Sequence, residues 1–211
     1  LKKSRSAKKT SQWYQRHSND PHVKRARREG KRSRAAFKLT EILDSCGLKL
    51  KADIVVVDLG SAPGSWCVEL ASRVGSTGIV VGIDLLQLDA IQGVTLIQGD
   101  FNAVEGRAAL VESLSGREVD WIFSDMAPEM SGNRLVDQMR MIGLNESTLC
   151  FARQYLAPAG NLLMKTFMGD GSDTLRADLA TSFRRVRNIK PSASRKTSSE
   201  FYFLGQEFSK R

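Results

Sequence analysis

Cysteine is scarce in this chain, and no two cysteines stand close together. Cys46, Cys67 and Cys150 are odd in number, widely spaced and without a C-x-x-C pair. That argues against a disulfide framework or a thiolate zinc site and for a reducing compartment, with cytoplasm the expected location and no metal expected. Long apolar runs are missing too: none approaches the roughly 20 residues that a membrane helix needs. The first residues have no apolar centre of the kind a secretory signal carries. They are rich in Lys, Arg and Ser and free of acids up to Asn19, a bias shared with mitochondrial transit peptides, but no amphipathic apolar stripe accompanies it. Histidine is limited to His17 and His22, both inside this basic stretch, so neither catalysis nor metal ligation has a histidine candidate.

Positive charge is abundant, and it is segregated. The first 40 residues carry 14 Lys or Arg against Asp20 and Glu29, a net +12, while the rest carries 18 basic and 21 acidic residues, a net −3. A near-neutral domain therefore bears a cationic arm, which we place at residues 1–30, with the domain over 31–211. Such an arm suits a phosphate backbone, bound with salt-dependent affinity; a solvated tail, or contact with an acidic surface, has the same composition. Trp13, Tyr14 and Phe37 interleave with the charge and could stack on bases or anchor the arm.

From residue 52 onward, short β-branched runs alternate with longer amphipathic stretches. Strands are expected at 54–59, 78–83, 94–98, 119–124, 161–167, 186–189 and 201–204. Helices are expected at 33–43, 66–74, 107–114, 135–156 (stopped by Pro158 and Gly160) and 173–183. The alternation predicts an α/β, Rossmann-like fold: a mostly parallel seven-stranded sheet with helices on both faces. The loop 191–199 is too short for a crossover helix, so the last two strands should pair antiparallel.

In such a sheet ligands bind beyond the carboxyl ends of the strands, near the topological switch point. The first strand ends in Asp58-Leu59-Gly60 and turns through Ser61-Ala62-Pro63-Gly64. Asp84 closes the second strand, placed for ribose hydroxyls with Leu85 beside it; Asp100 and Phe101 close the third, suited to an adenine amino group and ring. A dinucleotide wants G-x-G-x-x-G to seat its pyrophosphate. Here Ala62 and Ser65 occupy the second and third glycine positions, Pro63 removes a donor, and Asp58 and Asp125 would repel a pyrophosphate. The set favours S-adenosyl-L-methionine over NAD.

Four further polar residues lie where apolar elements begin or end. Lys38 follows Ala35-Ala36-Phe37, Asp125 closes the fourth strand, Lys165 follows Leu162-Leu163-Met164, and Glu200 opens Phe201-Tyr202-Phe203-Leu204. Converged in one cleft, they could set each other's proton affinities, as removal of a proton from a hydroxyl requires.

The segment Arg32 to Leu39, the loop Asp58 to Trp66, Ser124-Asp125-Met126-Ala127-Pro128, and Lys190-Pro191 through Ser194-Arg195 and Ser199-Glu200 occur in an order that resembles the FtsJ/RrmJ-type ribosomal RNA ribose 2′-O-methyltransferases. The likeness runs from about residue 11 to 205. The loop reads Ser-Ala-Pro-Gly-Ser-Trp where the family more often has Ala-Ala-Pro-Gly-Gly-Trp, Glu129 stands for a more usual Asn, and Ala159 for a Gly. The resemblance implies a catalytic tetrad of Lys38, Asp125, Lys165 and Glu200, with Lys165 as general base. It implies methyl transfer to a ribose 2′-hydroxyl, in bacterial members that of a uridine in the A-loop of large-subunit (23S) rRNA. The cofactor residues expected are Asp58, Gly60, Ser61, Pro63, Gly64, Trp66, Asp84, Leu85, Asp100, Phe101 and Asp125. RNA contacts are expected from Arg32, Arg34 and Arg195, in a monomer. Methylation of another RNA such as tRNA, and a non-catalytic role in ribosome assembly, are the rival readings.

Overall fold

A computed structural model of the protein describes residues 35–194 and 198–210. The chain order is α1 (Ala35–Ser45), β1 (Val55–Leu59), α2 (Ser65–Val74), β2 (Ile79–Asp84), β3 (Val94–Gln98), α3 (Val104–Ser113), β4 (Val119–Ser124), α4 (Arg134–Tyr155), β5 (Leu156–Phe167), α5 (Ser172–Ser182), β6 (Phe183–Ile189) and β7 (Glu200–Phe208). The strands form one seven-stranded sheet in the order β3-β2-β1-β4-β5-β7-β6. Pairing is parallel from β3 to β5, and β7 runs antiparallel between β5 and β6. The expected parallel sheet and antiparallel final pair are both present.

β1 is buried along its whole length because both sheet faces are covered, which is why it reads as an unbroken apolar run. Its alternate residues feed two cores. Val55, Val57 and Leu59 join Leu110 of α3, Phe151 of α4 and Leu179 of α5 on one face. Val56 joins Leu39, Ile42 and Leu43 of α1 and Trp66 and Leu70 of α2 on the other. β1 and β4 are neighbours while β2 and β3 lie on β1's far side, so the order reverses at the β1–β4 crevice.

Several boundaries differ from the sequence reading. α4 ends at Tyr155, and β5 starts at once with Leu156 instead of at 161. Pro158 has no N–H for the ladder, so the pairing with β4 shifts between Val119 and Trp121, with Ala159 at φ 62 in the irregularity. Phe183 leaves α5 to open β6 because its ring buries against Phe208, at 5.5 Å between centroids. β7 continues through Gly205 to Phe208: a Cβ at Gly205 would stand 2.8 Å from the Phe183 ring, so glycine there serves close packing. α3 begins at Val104, three residues early, without a side-chain cap to mark its start.

Candidate active site

β4 and β5 end side by side. The N–H of Asp125 donates to the Leu59 carbonyl at 3.1 Å, extending the β1–β4 contact one step past the strand. Lys165, on β5, stands in register with Tyr202 of β7, so the two side chains share the sheet face covered by α1. Lys165 Nζ lies 3.1 Å from Asp125 Oδ1 and also donates to the Asp125 backbone carbonyl. The Tyr202 hydroxyl donates to the same Oδ1 at 2.7 Å. Burial pushes the Asp125 carboxyl up, but Lys165, then Lys38 and the Tyr202 hydrogen bond more than offset it and hold the group below the usual carboxylate range.

Lys38, in the first turn of α1, is buried among apolar neighbours, so its ammonium needs an acid partner. It finds Glu200, the first residue of β7, with Nζ to Oε1 at 2.5 Å. Ser194 donates to the same Oε1 at 2.9 Å, and the Lys38 ammonium stands 6.0 Å from the Tyr202 ring centroid. The fold thus assembles Lys38, Asp125, Lys165 and Glu200 as two ion pairs on either side of Tyr202. The tyrosine was missed. Its signal was a lone phenol in an apolar strand, since a buried hydroxyl seeks a partner.

On the α4 side of Asp125 opens a cavity of about 760 Å³. Gly60, Asp84, Leu85, Asp100, Phe101 and Asp125 of the expected cofactor residues line it, joined by Met126, Pro128, Arg140, Leu144 and Ser147, which the sequence reading missed. Those from α4 sit on a helix with no clean apolar stripe to reveal its inward face. Gly60 has φ 76, and a Cβ there would stand 2.8 Å from Met126, so the turn tolerates only glycine. The Asp84 carboxylate is fixed at the rim by the N–H groups of Ala62 and Leu86, both at 2.9 Å. Asp100 Oδ1 accepts from Asn102 N at 2.8 Å. Phe101 is buried edge-on to Phe151, with the Arg107 guanidinium 4.9 Å from its ring centroid. Arg107 also donates to the Phe101 carbonyl and to Ser147 Oγ, both at 3.0 Å, joining α3 to α4 across the cavity's end.

Asp58, Ser61, Pro63, Gly64 and Trp66 lie off the cavity wall. Gly64 holds φ 88 at the start of α2, directly after Pro63. The Trp66 indole donates to the Ala35 carbonyl at 2.7 Å and packs 5.9 Å from Tyr202, tying α1 and α2 to β7. Asp58 is fully buried; Cys67 donates to its Oδ2 at 3.1 Å, while its Oδ1 and the buried Ser61 Oγ have no protein partner. Burial, eased by the Cys67 bond and reinforced by Asp125 and Asp84, pushes the Asp58 carboxyl up to about 7. Cys46 and Cys150 are free thiols. Arg32, Arg34 and Arg195 lie outside the described residues, as do the whole arm and Lys196. Among the described residues no group of three or more His, Cys, Asp or Glu could hold a metal ion, and no helix is long and apolar enough to cross a membrane.

A doubly wound sheet, an acid-rimmed cavity at its switch point and a glycine turn with no phosphate cradle are the layout of a Rossmann-like methyltransferase. Residues 31–208 match the model of the FtsJ-like methyltransferases, and the chain belongs to that family. It is 45% identical over 200 residues to ribosomal RNA large subunit methyltransferase E of Acinetobacter baylyi, spanning 95% of this chain and 92% of that protein. The protein of the same name from Chromohalobacter salexigens is 43% identical over 205 residues, spanning 97% of each chain. Among solved structures, a Plasmodium falciparum protein assigned as a ribosomal RNA methyltransferase superposes with a TM-score of 0.76 at 28% identity, covering 85% of this chain and all of that one.

Proposed function

We propose that this protein transfers a methyl group from S-adenosyl-L-methionine to the 2′-hydroxyl of a uridine in the A-loop of large-subunit ribosomal RNA. In this reading it acts as a cytoplasmic monomer. The names of its relatives support the RNA class, and the family resemblance supports the ribose target.

The observation that carries the chemistry is the seating of Lys165. Paired with Asp125 as an ammonium, Lys165 must first give up a proton to solvent to act as a base; the neutral amine then has two N–H groups and one lone pair. Asp125 supplies two acceptors, its carbonyl and Oδ1. With both N–H groups spent there, the lone pair has one direction left, the direction from which a hydroxyl would present its proton. Lys165 is then the base that takes the 2′-hydroxyl proton, and Asp125 holds it in place. Glu200 fixes the Lys38 ammonium close by, where it favours the alkoxide that proton removal develops.

The cofactor fits the residues present. Asp84 and Asp100 stand on the cavity rim to accept from ribose and adenine, and two buried polar atoms, Asp58 Oδ1 and Ser61 Oγ, wait without protein partners at the foot of the turn. Pro63 removes a backbone N–H that a pyrophosphate cradle would use there. When bound, S-adenosylmethionine supplies an electrophilic methyl group. Arg32, Arg34, Arg195 and the arm over 1–30 would grip RNA phosphates and position the substrate without selecting its sequence.

The test is transfer of labelled methyl groups to large ribosomal subunits, naked rRNA and tRNA side by side, with mapping of ribose methylation in the product. Wild-type protein is expected to label large-subunit RNA at a ribose, and Lys165→Ala to bind cofactor but transfer nothing. Wild-type turnover by Lys165→Ala removes the assignment of the base; label confined to tRNA removes the assignment of the substrate.

A further inference from the structure

The segment between β6 and β7 is held by a carboxylate that stands outside the four-residue site. Glu41 lies on α1, three residues beyond Lys38, and therefore on the same side of the helix. Its Oε1 accepts from the N–H of Ser192 at 2.6 Å, and its Oε2 from the N–H of Ala193 at 3.1 Å. Ala193 also packs against Phe37, both of them buried. The next residue, Ser194, closes a turn onto the Pro191 carbonyl at 3.0 Å. Its hydroxyl then reaches Glu200 Oε1, the oxygen that holds Lys38. The contacts form a closed circuit: from α1 through Glu41 to 192–194, on to Glu200, and back through Lys38 to α1.

We propose that Glu41 is a positioning residue for methyl transfer. It latches 192–194 to α1 so that Ser194 and Lys38 grip one oxygen of Glu200 from two sides. Two backbone N–H groups on one carboxylate make charge-assisted bonds, stronger than neutral ones. Released, those N–H groups turn to water and the Ser194 hydroxyl leaves with them. Glu200 then keeps a single partner, and its carboxylate is free to rotate and carry the Lys38 ammonium out of place. The inference rests on the proposed reaction, because it is placement of the Lys38 charge that the latch secures.

The experiment uses the full chain with Glu41→Gln, Ser194→Ala and the double variant. Gln matches Glu in size but offers one acceptor where two are needed. Each single change is expected to lower kcat on large-subunit RNA by about 10-fold, with the Kd for S-adenosylhomocysteine held within about twofold. The double variant should be no slower than the slower single one, because both act through Glu200. Losses that multiply in the double variant, or that fall wholly on cofactor Kd or on the folded fraction, overturn the proposal. Ser194→Ala deletes one hydroxyl and carries the test if Glu41→Gln does not fold. Amide exchange reads the latch without turnover: Ser192 and Ala193 should be protected in the wild type and open in Glu41→Gln. Fast exchange in the wild type overturns the latch, whereas this protection in a protein that methylates no RNA refutes the activity and upholds the latch.

Discussion

Between about pH 4 and about pH 7 the fold keeps on one carboxyl a proton that the unfolded chain gives up, and the cost is measurable. Asp58 is completely buried on β1; one oxygen takes only the weak Cys67 thiol hydrogen at 3.1 Å, and the other has no partner. In the folded protein its pKa is pushed up to about 7, chiefly by burial, against an ordinary value of 3.8. A folded value above the unfolded one means the native state holds the extra proton between the two. Stability is then full below the lower value and falls as pH rises through the window. About three pK units at about 1.36 kcal/mol each set a ceiling of roughly 4 kcal/mol. Asp125 acts in a different window. Its folded value lies below the ordinary one, so its contribution is present above about pH 4 and is lost as pH falls further.

Urea unfolding followed by tryptophan fluorescence, from about pH 4.5 to about pH 8, separates these effects when wild type is compared with Asp58→Asn. Asn stays neutral throughout, and every other titratable group is common to both proteins, so the difference between the two curves belongs to Asp58. The wild type should lose about 3 kcal/mol relative to the variant across that range, the rest of the ceiling lying below about pH 4.5. Parallel curves would show that Asp58 ionises freely in the folded state and would refute the reasoning from its burial.

Tyr202→Phe keeps the ring beside Trp66 but removes the hydroxyl bonded to Asp125 Oδ1. A hydrogen bond to a charged group is worth about 1.5–3 kcal/mol, so transfer should slow by roughly 10- to 100-fold while cofactor affinity holds; an unchanged kcat would make the phenol a bystander. Gly60→Ala forces a Cβ to within 2.8 Å of Met126 at φ 76, and calorimetry should show cofactor Kd weakened by at least about 10-fold. Deleting residues 1–30 should flatten the salt dependence of RNA binding and leave cofactor binding unchanged; equal retention of both would sink the arm's role.

How far the sequence could be read depended on whether a feature was local. The β1 run and its glycine turn were legible because a strand covered on both faces is apolar throughout, and its turn needs φ above zero. The start of α3 was not, because Ala103 gives no cap signal. Phe183 read as helix because its neighbours continue a helical spacing; only Phe208, 25 residues on, makes it a strand residue. Lys38 and Glu200 could be nominated from their positions at element ends, but Ser194 and Glu41 could not. Their partners are set by how α1 lies against the loop before β7, a tertiary fact with no periodicity behind it. Tyr202 falls between these cases: the need for a partner is local, and the partner is not.

The antiparallel β7 explains why a charged site can be built here at all. Because β7 runs opposite to β5, its beginning rather than its end lies at the edge where β1, β4 and β5 finish, so Glu200 and Tyr202 arrive beside Lys165 and Asp125. α1 crosses that face and adds Lys38. The four charges sum to zero and are already paired, at 2.5 and 3.1 Å, before any ligand arrives. Side-chain exposure of 7% for both lysines would be costly for lone ammonium groups, since breaking one buried pair costs about 3–5 kcal/mol. Pairing makes the burial tolerable, and burial in turn limits competing water around the Lys165 nitrogen that would serve as base once it has lost its proton. Asp58 contributes to the same balance from below. With its pKa at about 7 it is only partly ionised at neutral pH, so further ionisation can offset the charge of a cationic ligand without any rearrangement of the tetrad.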